Sequence, residues 1–190
     1  MCYELIGNWK DGRAYALHTL SSNYLGVDQN GYKHWDNTYS EMGELVHQLK
    51  YNNQVSNVPL IVDLLVDKFD GLDTLDCIIP APASKVRQIQ PVHAIASALA
   101  QKVGIAYEDV LSKQSNVQLK EIDDYAERLA ILRQSMKLKP GKNLQHKNVL
   151  IVDDLFRSGA TLQVATEILY RDAKCHNVYV LTMTKTRSKR

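Results

Sequence analysis

One segment constrains the fold of this chain more than any other, the run VLIVDDLFRSGATL at 149–162. Its four leading apolar residues predict a buried strand, which the acids Asp153 and Asp154 follow directly. A turn is then predicted at Gly159, and a helix from about Ala160. A strand, a turn and a helix in this order are typical of α/β folds, in which ligands bind at the carboxyl ends of the strands.

The polar groups of this segment suit a phosphorylated sugar. The carboxylates of Asp153 and Asp154 can accept hydrogen bonds from a pair of sugar hydroxyls. The backbone N–H groups of residues 158–162, with the hydroxyls of Ser158 and Thr161, can surround a phosphate at the N-terminus of the helix. The segment therefore predicts a ribose-phosphate site, with acceptors at one end and donors at the other.

Two other interpretations of the paired acids are open. The acids could be the solvated end of a strand followed by a helix cap, although this leaves the Ser-Gly-x-Thr run unexplained. Phospho-receiver domains also begin with an apolar strand that ends in paired acids. In those domains the acids lie near the start, whereas here only 36 residues follow Asp154.

The composition is that of a small globular protein. The chain has 190 residues, of which 45% are hydrophobic, and this is enough for one core. No apolar run approaches the roughly 18 residues of a membrane span, and no secretory signal opens the chain. Its three cysteines lack CxxC spacing, so neither a disulfide framework nor a zinc site is indicated, and Cys77 is predicted to be a core thiol. We therefore expect a cytoplasmic protein without membrane contacts.

The positive charge of the chain is concentrated at its end. The formal charge is +2, but the tail at 185–190 contributes four positive charges, so the remainder carries −2. A basic domain is thereby excluded. We expect the basic tail to be a frayed, solvated end, and a nucleic-acid contact through it stays open.

The chain alternates strands and helices, which predicts an α/β fold with a mostly parallel, twisted sheet flanked by helices. We find no linker, so residues 1–190 are expected to form a single domain. Short antiparallel strands are expected in the aromatic-rich residues 1–37. Helices are predicted from the capping box Thr38-x-x-Glu41, from Asn57-Val58-Pro59 with Leu60, Leu64 and Leu65 buried, from Val92 to Gly104, over 119–136 and from Ala160, and strands over 75–79, 105–111, 149–152 and 177–184.

The segment at 149–162 resembles the ribose-phosphate signature of the type I phosphoribosyltransferases: four apolar residues, two acids, two apolar residues, and a loop that ends small-Gly-x-Thr. The resemblance implies that Asp153 and Asp154 are catalytic residues that hold the ribose 2′ and 3′ hydroxyls of 5-phosphoribosyl-1-pyrophosphate. It also implies that they contact Mg²⁺, directly or through water. The 5′-phosphate would bind to Arg157, Ser158, Gly159, Ala160 and Thr161.

In this family, the loop after a second strand holds the pyrophosphate. The corresponding strand here ends at Pro80-Ala81-Pro82, and the loop after it carries cations that can neutralise charge on the leaving group. These cations could instead be ordinary exposed loop residues. The pyrophosphate-binding residues implied by the resemblance are Ala81, Pro82, Ala83, Ser84, Lys85 and Arg87.

Residues 112–128 match in position the flexible loop that closes over the active site in this family. A lid is physically reasonable, because a cationic ribosyl-like transition state must be kept from water. Lys113, Lys120 and Arg128 are the lid cations that could reach the pyrophosphate. An amphipathic helix with a solvated charged face is the alternative for Lys120 and the acids at 121–124.

A narrower resemblance covers roughly residues 40–184. GELVHQLKY at 43–51, the Pro-x-Pro strand end, Ala126-Glu127-Arg128 and the signature loop occur in the order seen in ComF-like phosphoribosyltransferases. The chain departs from that pattern in two ways. It lacks the cysteine-rich zinc segment that often opens ComF-like proteins, and its loop after Pro82 is shorter.

The resemblance implies Mg²⁺-assisted transfer of phosphoribosyl to a nitrogen acceptor, with release of pyrophosphate. The acceptor is not predicted, but a hood formed by residues 1–37 is expected to hold it. Hypoxanthine-guanine-type members have an aspartate near the purine at the position of Arg157, and an arginine cannot act as a general base. Arg157 therefore argues against that type of purine salvage. A regulatory protein that binds the same ligand without catalysis, linked to DNA uptake or processing, is the alternative, and a homodimer is also open.

Overall fold

The computed structural model describes residues 2–83, 87–114, 122 and 124–187. These residues form ten strands, five α-helices and one 3₁₀ turn at Leu72–Thr74. The strands are β1 (Tyr3–Glu4), β2 (Asp11–Leu17), β3 (Thr19–Val27), β4 (Lys33–Tyr39), β5 (Cys77–Pro80), β6 (Ala106–Tyr107), β7 (Leu111–Lys113), β8 (Met136–Leu138), β9 (Asn148–Phe156) and β10 (Asn177–Lys185). The helices are α1 (Glu41–Tyr51), α2 (Asn57–Lys68), α3 (Pro91–Val103), α4 (Tyr125–Ser135) and α5 (Ala160–Arg171).

A six-stranded sheet forms the centre of the protein, in the order β1-β2-β10-β9-β5-β6. Every pairing in it is parallel except that of β1 with β2. β5 and residues 149–152 of β9 are buried and apolar, as expected for inner strands whose two faces are covered by helices. The predicted α/β class with a mostly parallel sheet is confirmed.

Alternating side chains of the sheet divide the core into two layers. Cys77 and Ile79 pack with residues of α4 and α5, whereas Ile78 between them packs with α1, α2 and α3. Burial of Cys77 agrees with the prediction of a core thiol, and it raises the pKa of that thiol to about 12. In the described part of the chain, no helix is long and apolar enough to span a membrane.

The predicted hood at 1–37 is divided between two structures. β2 lies parallel to β10 inside the central sheet, with Ala14 fully buried, and β1 pairs on its outer side. β3 and β4 instead form a separate antiparallel hairpin, which we call the β3–β4 hairpin. The sequence misses this division because the apolar residues of β2 are small or half-buried, and its place in the sheet depends on pairing with a distant strand.

The predicted helices exist, but some of their ends and buried faces differ. Ser40, not Thr38, caps α1, because its Oγ accepts a hydrogen bond from the N–H of Gly43 at 3.0 Å. Thr38 belongs to β4. In α2, Leu60 is exposed because the buried stripe runs through Ile61 and its neighbours instead. The helix predicted over 119–136 begins, in the described residues, at Tyr125.

The start of the basic tail is anchored, contrary to the prediction of a frayed end. Lys185 is the last residue of β10 and pairs with both neighbouring strands. The N–H of Thr186 donates to the carbonyl oxygen of Phe156 at 3.0 Å, and Nη1 of Arg187 donates to that of Leu20 at 2.9 Å. Residues 188–190 lie outside the described part.

Candidate functional site

A cleft of about 420 Å³ opens at the carboxyl ends of β5 and β9. These strands are neighbours, so the two loops that the sequence singles out lie side by side. Ser84, Lys85 and Lys120 lie outside the described residues. The predicted site residues that line the cleft are Ala81, Pro82, Ala83, Arg87, Arg128, Asp153, Asp154, Arg157, Ser158, Ala160 and Thr161.

The turn before α5 is built around Gly159. This residue adopts φ +78°, a left-handed conformation that favours glycine. A Cβ atom on it would lie 2.9 Å from the ring of Phe156, which itself packs edge-on against Trp9. Because Gly159 occupies the N-cap position and has no side chain, no side chain caps the first turn of α5. The N–H groups of that turn are therefore left for a ligand.

Arg128 lies beside this turn and also lines the cleft. Its side chain is only 7% exposed, its Nη1 donates to Oγ of Ser158 at 3.0 Å, and its Nη2 donates to the carbonyl oxygen of Ile122. Among the described residues its buried Nε has no hydrogen-bond partner. Such an orphaned donor on a buried cation is uncommon in a folded protein. Arg128, predicted as a lid cation, thus contacts the turn before α5 through Ser158.

The acid pair also lines the cleft, near the carboxyl end of β9. The backbone N–H of Asp154 donates to Oδ1 of Asp153 at 2.8 Å. Nζ of Lys50, at the end of α1, lies 2.5 Å from Oδ2 of Asp154, and these two side chains are 24% and 13% exposed. The sequence gives no signal for Lys50, because its partner is 104 residues away along the chain.

Burial dominates the electrostatics of the acid pair. Burial, followed by the charge of Asp154, raises the pKa of Asp153 to about 7, although Lys50 and Lys113 oppose the shift. Burial lowers the pKa of Lys50, but the charge of Asp154 and its hydrogen bond outweigh this, so the net direction is upward. Burial lowers the pKa of Lys113, a predicted lid cation in β7, while the charge of Asp153 opposes the shift.

A hydrogen-bonded network supports the acids from behind. Oγ1 of Thr184 on β10 donates to the carbonyl oxygen of Asp154 at 3.0 Å, and it lies 3.1 Å from Nδ1 of His18. Burial lowers the pKa of His18, which favours its neutral form, whereas the charge of Asp154 has the opposite effect. This network fixes the backbone at Asp154 and leaves its carboxylate to Lys50 and the cleft.

The described lining of the cleft does not include the predicted hood, whose role in holding an acceptor stays a prediction. Among the described residues that line the cleft, none belongs to the predicted hood at 1–37. Tyr51 of α1, with Gln90 and His93 at the start of α3, lines it instead. The guanidinium of Arg87 lies 5.7 Å from the ring centre of Tyr51. These residues could not be selected from local sequence, because each lies at the end of a helix whose orientation depends on tertiary packing.

The acid pair fits a magnesium ion only in part. Mg²⁺ prefers oxygen ligands, and Asp153 presents its carboxylate to the cleft. Asp154 is already engaged through Oδ2 by the ammonium of Lys50. No group of three or more His, Cys, Asp or Glu side chains in the described residues could hold a metal by itself. Substrate oxygens would therefore have to complete the coordination of an ion at Asp153.

Comparison with solved structures identifies type I phosphoribosyltransferases as similar chains. Adenine phosphoribosyltransferase from Thermoanaerobacter pseudethanolicus is 16% identical, with a TM-score of 0.49 over 82% of this chain and 77% of that one. Orotate phosphoribosyltransferase from Aeropyrum pernix is 14% identical, with a TM-score of 0.48 over 85% and 75%. Hypoxanthine phosphoribosyltransferase from Staphylococcus aureus is 16% identical, with a TM-score of 0.42 over 73% and 66%.

No family model matches the chain, and no curated protein sequence matches it. The three TM-scores are below 0.5, so these likenesses do not decide the function. The residues of the cleft carry the functional inference instead. The narrower ComF-like resemblance is not addressed by these structures and stays a prediction.

Proposed function

We propose that this chain transfers a phosphoribosyl group from 5-phosphoribosyl-1-pyrophosphate to a nitrogen acceptor and releases pyrophosphate. One observation carries the proposal: the uncapped first turn of α5, the side chain of Arg128 and the acid pair line the same cleft. The proposed anion site combines the uncapped first turn of α5 with the buried, unsatisfied Nε of Arg128. The acids Asp153 and Asp154 suit the two ribose hydroxyls.

The loop after β5 supports a pyrophosphate position beside the ribose. Pro80 pairs with Val152, and the N–H of Ala81 donates to the carbonyl oxygen of Val152 at 2.8 Å. This places the start of the loop next to the acid pair. Arg87, at the far end of the loop, lines the same cleft and can neutralise charge on the departing pyrophosphate.

In the proposed reaction, the bond from the anomeric carbon to pyrophosphate oxygen breaks, and its electron pair leaves with the pyrophosphate. The lone pair of the acceptor nitrogen forms the new bond, and the nitrogen then loses a proton. The cleft contributes by holding both ends of the ribose phosphate and by neutralising the leaving group, so positioning replaces covalent catalysis. Mg²⁺ bound at Asp153 and substrate oxygens would supply further positive charge to the pyrophosphate.

Calorimetric titration with phosphoribosyl pyrophosphate and Mg²⁺ tests the proposal. The wild type should bind, and an Asp153→Asn/Asp154→Asn variant should bind at least about 100-fold more weakly, because two hydrogen-bond acceptors for the ribose are lost. Asp63→Asn is the matched control, since that carboxylate forms an exposed ion pair with Lys102. Absence of binding by the folded wild type would overturn the proposal.

A second measurement separates catalysis from regulation. Pyrophosphate release is followed across a panel of nitrogenous bases, with the double aspartate variant as the blank. Release with one base would identify the acceptor. Tight binding without release by any base would favour the regulatory alternative. Four further points remain predictions: the ComF-like subfamily, a homodimer, a cytoplasmic location and nucleic-acid binding through residues 185–190. Nucleic-acid binding would be supported by salt-dependent binding that is abolished when the tail is truncated.

A further inference from the structure

Lys50 is a charged residue of the cleft that the proposed reaction does not yet use. It comes from the last turn of α1, outside both loops that the sequence selects. Its ammonium lies 2.5 Å from Oδ2 of Asp154, and both side chains are mostly buried. The pair is therefore shielded from solvent far more than an ordinary surface ion pair, and its attraction is correspondingly stronger.

The backbone of Lys50 also contacts the proposed pyrophosphate loop. Nη1 of Arg87 donates to the carbonyl oxygen of Lys50 at 3.5 Å, and the Arg87 guanidinium lies over the ring of Tyr51. The end of α1 thus contacts the acid pair through a side chain and the loop after β5 through a backbone carbonyl. Lys50 is placed where the ribose and pyrophosphate parts of the cleft meet.

A lysine ammonium and a divalent cation compete for the same carboxylate oxygen. Buried carboxylates require a nearby positive charge, because their desolvation is otherwise too costly. At Asp154 this charge is part of the polypeptide and is present before any ligand arrives. When a multiply charged anion enters the cleft, the same ammonium can neutralise part of its charge. A divalent cation, by contrast, would first have to bind from solution.

We propose that Lys50 is a substrate-binding residue that supplies at Asp154 the positive charge that a metal contact would otherwise supply, so that the chain binds phosphoribosyl pyrophosphate with little dependence on Mg²⁺. This inference rests on the proposed function. It divides the acid pair into Asp153, which is available to an ion, and Asp154, which is held by a lysine. A purely structural ion pair would instead affect folding and leave the magnesium dependence of binding unchanged.

Calorimetry on the full chain, with saturating Mg²⁺ and with excess EDTA, distinguishes these two roles. Wild type should lose less than about threefold in affinity for phosphoribosyl pyrophosphate when Mg²⁺ is removed. Lys50→Met, which keeps the aliphatic stem without the charge, should lose about tenfold or more. Lys50→Arg should behave as wild type. Lys102→Met is the matched control, because Lys102 forms an exposed ion pair with Asp63 outside the cleft.

The outcomes separate this inference from the function on which it rests. Equal magnesium dependence in wild type and Lys50→Met would overturn the role of Lys50 while leaving the proposed function standing. No binding by wild type in either condition would overturn both. If Lys50→Met does not fold, Asp154→Asn and Lys50→Met/Asp154→Asn are compared, since neither leaves a buried carboxylate unpaired. The double variant should then show the larger magnesium dependence, and equal dependence would overturn the inference.

Discussion

Asp153 is the residue whose charge should control ligand binding near neutral pH. Its pKa is raised to about 7 by burial and by the neighbouring charge of Asp154. Below this pH the carboxyl is protonated and neutral, and above it the carboxylate can accept hydroxyl hydrogen bonds and approach Mg²⁺. Affinity for phosphoribosyl pyrophosphate with Mg²⁺ should therefore rise by up to roughly tenfold from about pH 6 to about pH 8, measured by calorimetry.

The control for this prediction is Asp153→Asn, which is uncharged at every pH. The phosphates of the ligand also titrate in this range, so the informative quantity is the difference between the two proteins. The variant should bind weakly and retain only the pH dependence of the ligand. Parallel curves for wild type and variant would contradict ionisation of Asp153 as the cause.

Arg128 offers a test between the lid role that the sequence predicts and the phosphate-binding role proposed above. In the structure it contacts Ser158 and has a buried, unsatisfied Nε. Arg128→Gln should weaken binding of ribose 5-phosphate, which has no pyrophosphate, by about 1.5–3 kcal/mol. Binding of free pyrophosphate should change little. Both affinities can be measured by calorimetry.

Arg133→Gln is the matched control for this prediction, because Arg133 lies on the same helix and pairs with Glu167 at the surface. It should leave both affinities unchanged. A lid residue that acts on the leaving group would produce the reverse pattern, with pyrophosphate binding lost and ribose 5-phosphate binding retained.

At the scale of elements, local sequence predicts the secondary structure of a segment well, but it predicts poorly which other segments will contact it. The strand, turn and helix of 149–162 were predictable, because apolar periodicity, paired acids and glycine lie within 14 residues. The strand is longer than predicted and continues through the acids to Phe156. Lys50 and Tyr51 were not predictable as site residues, since only the packing of α1 against the sheet brings them to the cleft.

The turn before α5 should tolerate no side chain. Gly159→Ala introduces a Cβ at φ +78° and 2.9 Å from the ring of Phe156, so both backbone strain and overlap oppose it. Gly104→Ala is the matched control, because Gly104 has φ +79° and no atom within 4 Å of the added Cβ. Gly104→Ala should cost about 1 kcal/mol of unfolding free energy, and Gly159→Ala about 2–4 kcal/mol.

Chemical denaturation measures this difference, and calorimetry with ribose 5-phosphate adds a functional comparison. Only Gly159→Ala should weaken phosphate binding, because its turn directs the first N–H groups of α5. Equal losses of stability in the two variants would show that the Phe156 contact relaxes without cost.

At the scale of the whole molecule, the arrangement of strands creates the cleft. Parallel alignment of β5 and β9 brings the starts of the two following loops together, although these lie about 70 residues apart in the sequence. Alternation of strands and helices predicts such a sheet, but the order of its strands depends on pairings between distant segments. Placement of β2 beside β10 shows this limit, because no local pattern distinguishes β2 from the hairpin that follows it.

The two parts of the predicted hood should differ in their importance for folding. The β3–β4 hairpin leaves several large side chains exposed, among them Tyr24, Leu25 and Tyr32, so it buries little apolar surface. Ser21 and Thr38 face each other in its register, so Asn-Gly can replace residues 22–37 as a tight turn. This deletion should change the unfolding free energy by less than about 1 kcal/mol and leave affinity for phosphoribosyl pyrophosphate within about twofold.

Ala14→Asp in β2 is the contrasting variant, because Ala14 is fully buried in an apolar cluster, where a carboxylate would lose its hydration. It should destabilise the protein by more than about 3 kcal/mol or prevent folding. Denaturation curves and calorimetry on both proteins make the comparison. Loss of folding on deletion of the hairpin would show that residues 22–37 belong to the structural core. Loss of binding with folding intact would show that residues 22–37 contribute to the ligand site. The deletion removes none of the described residues that line the cleft, so it should not otherwise affect binding.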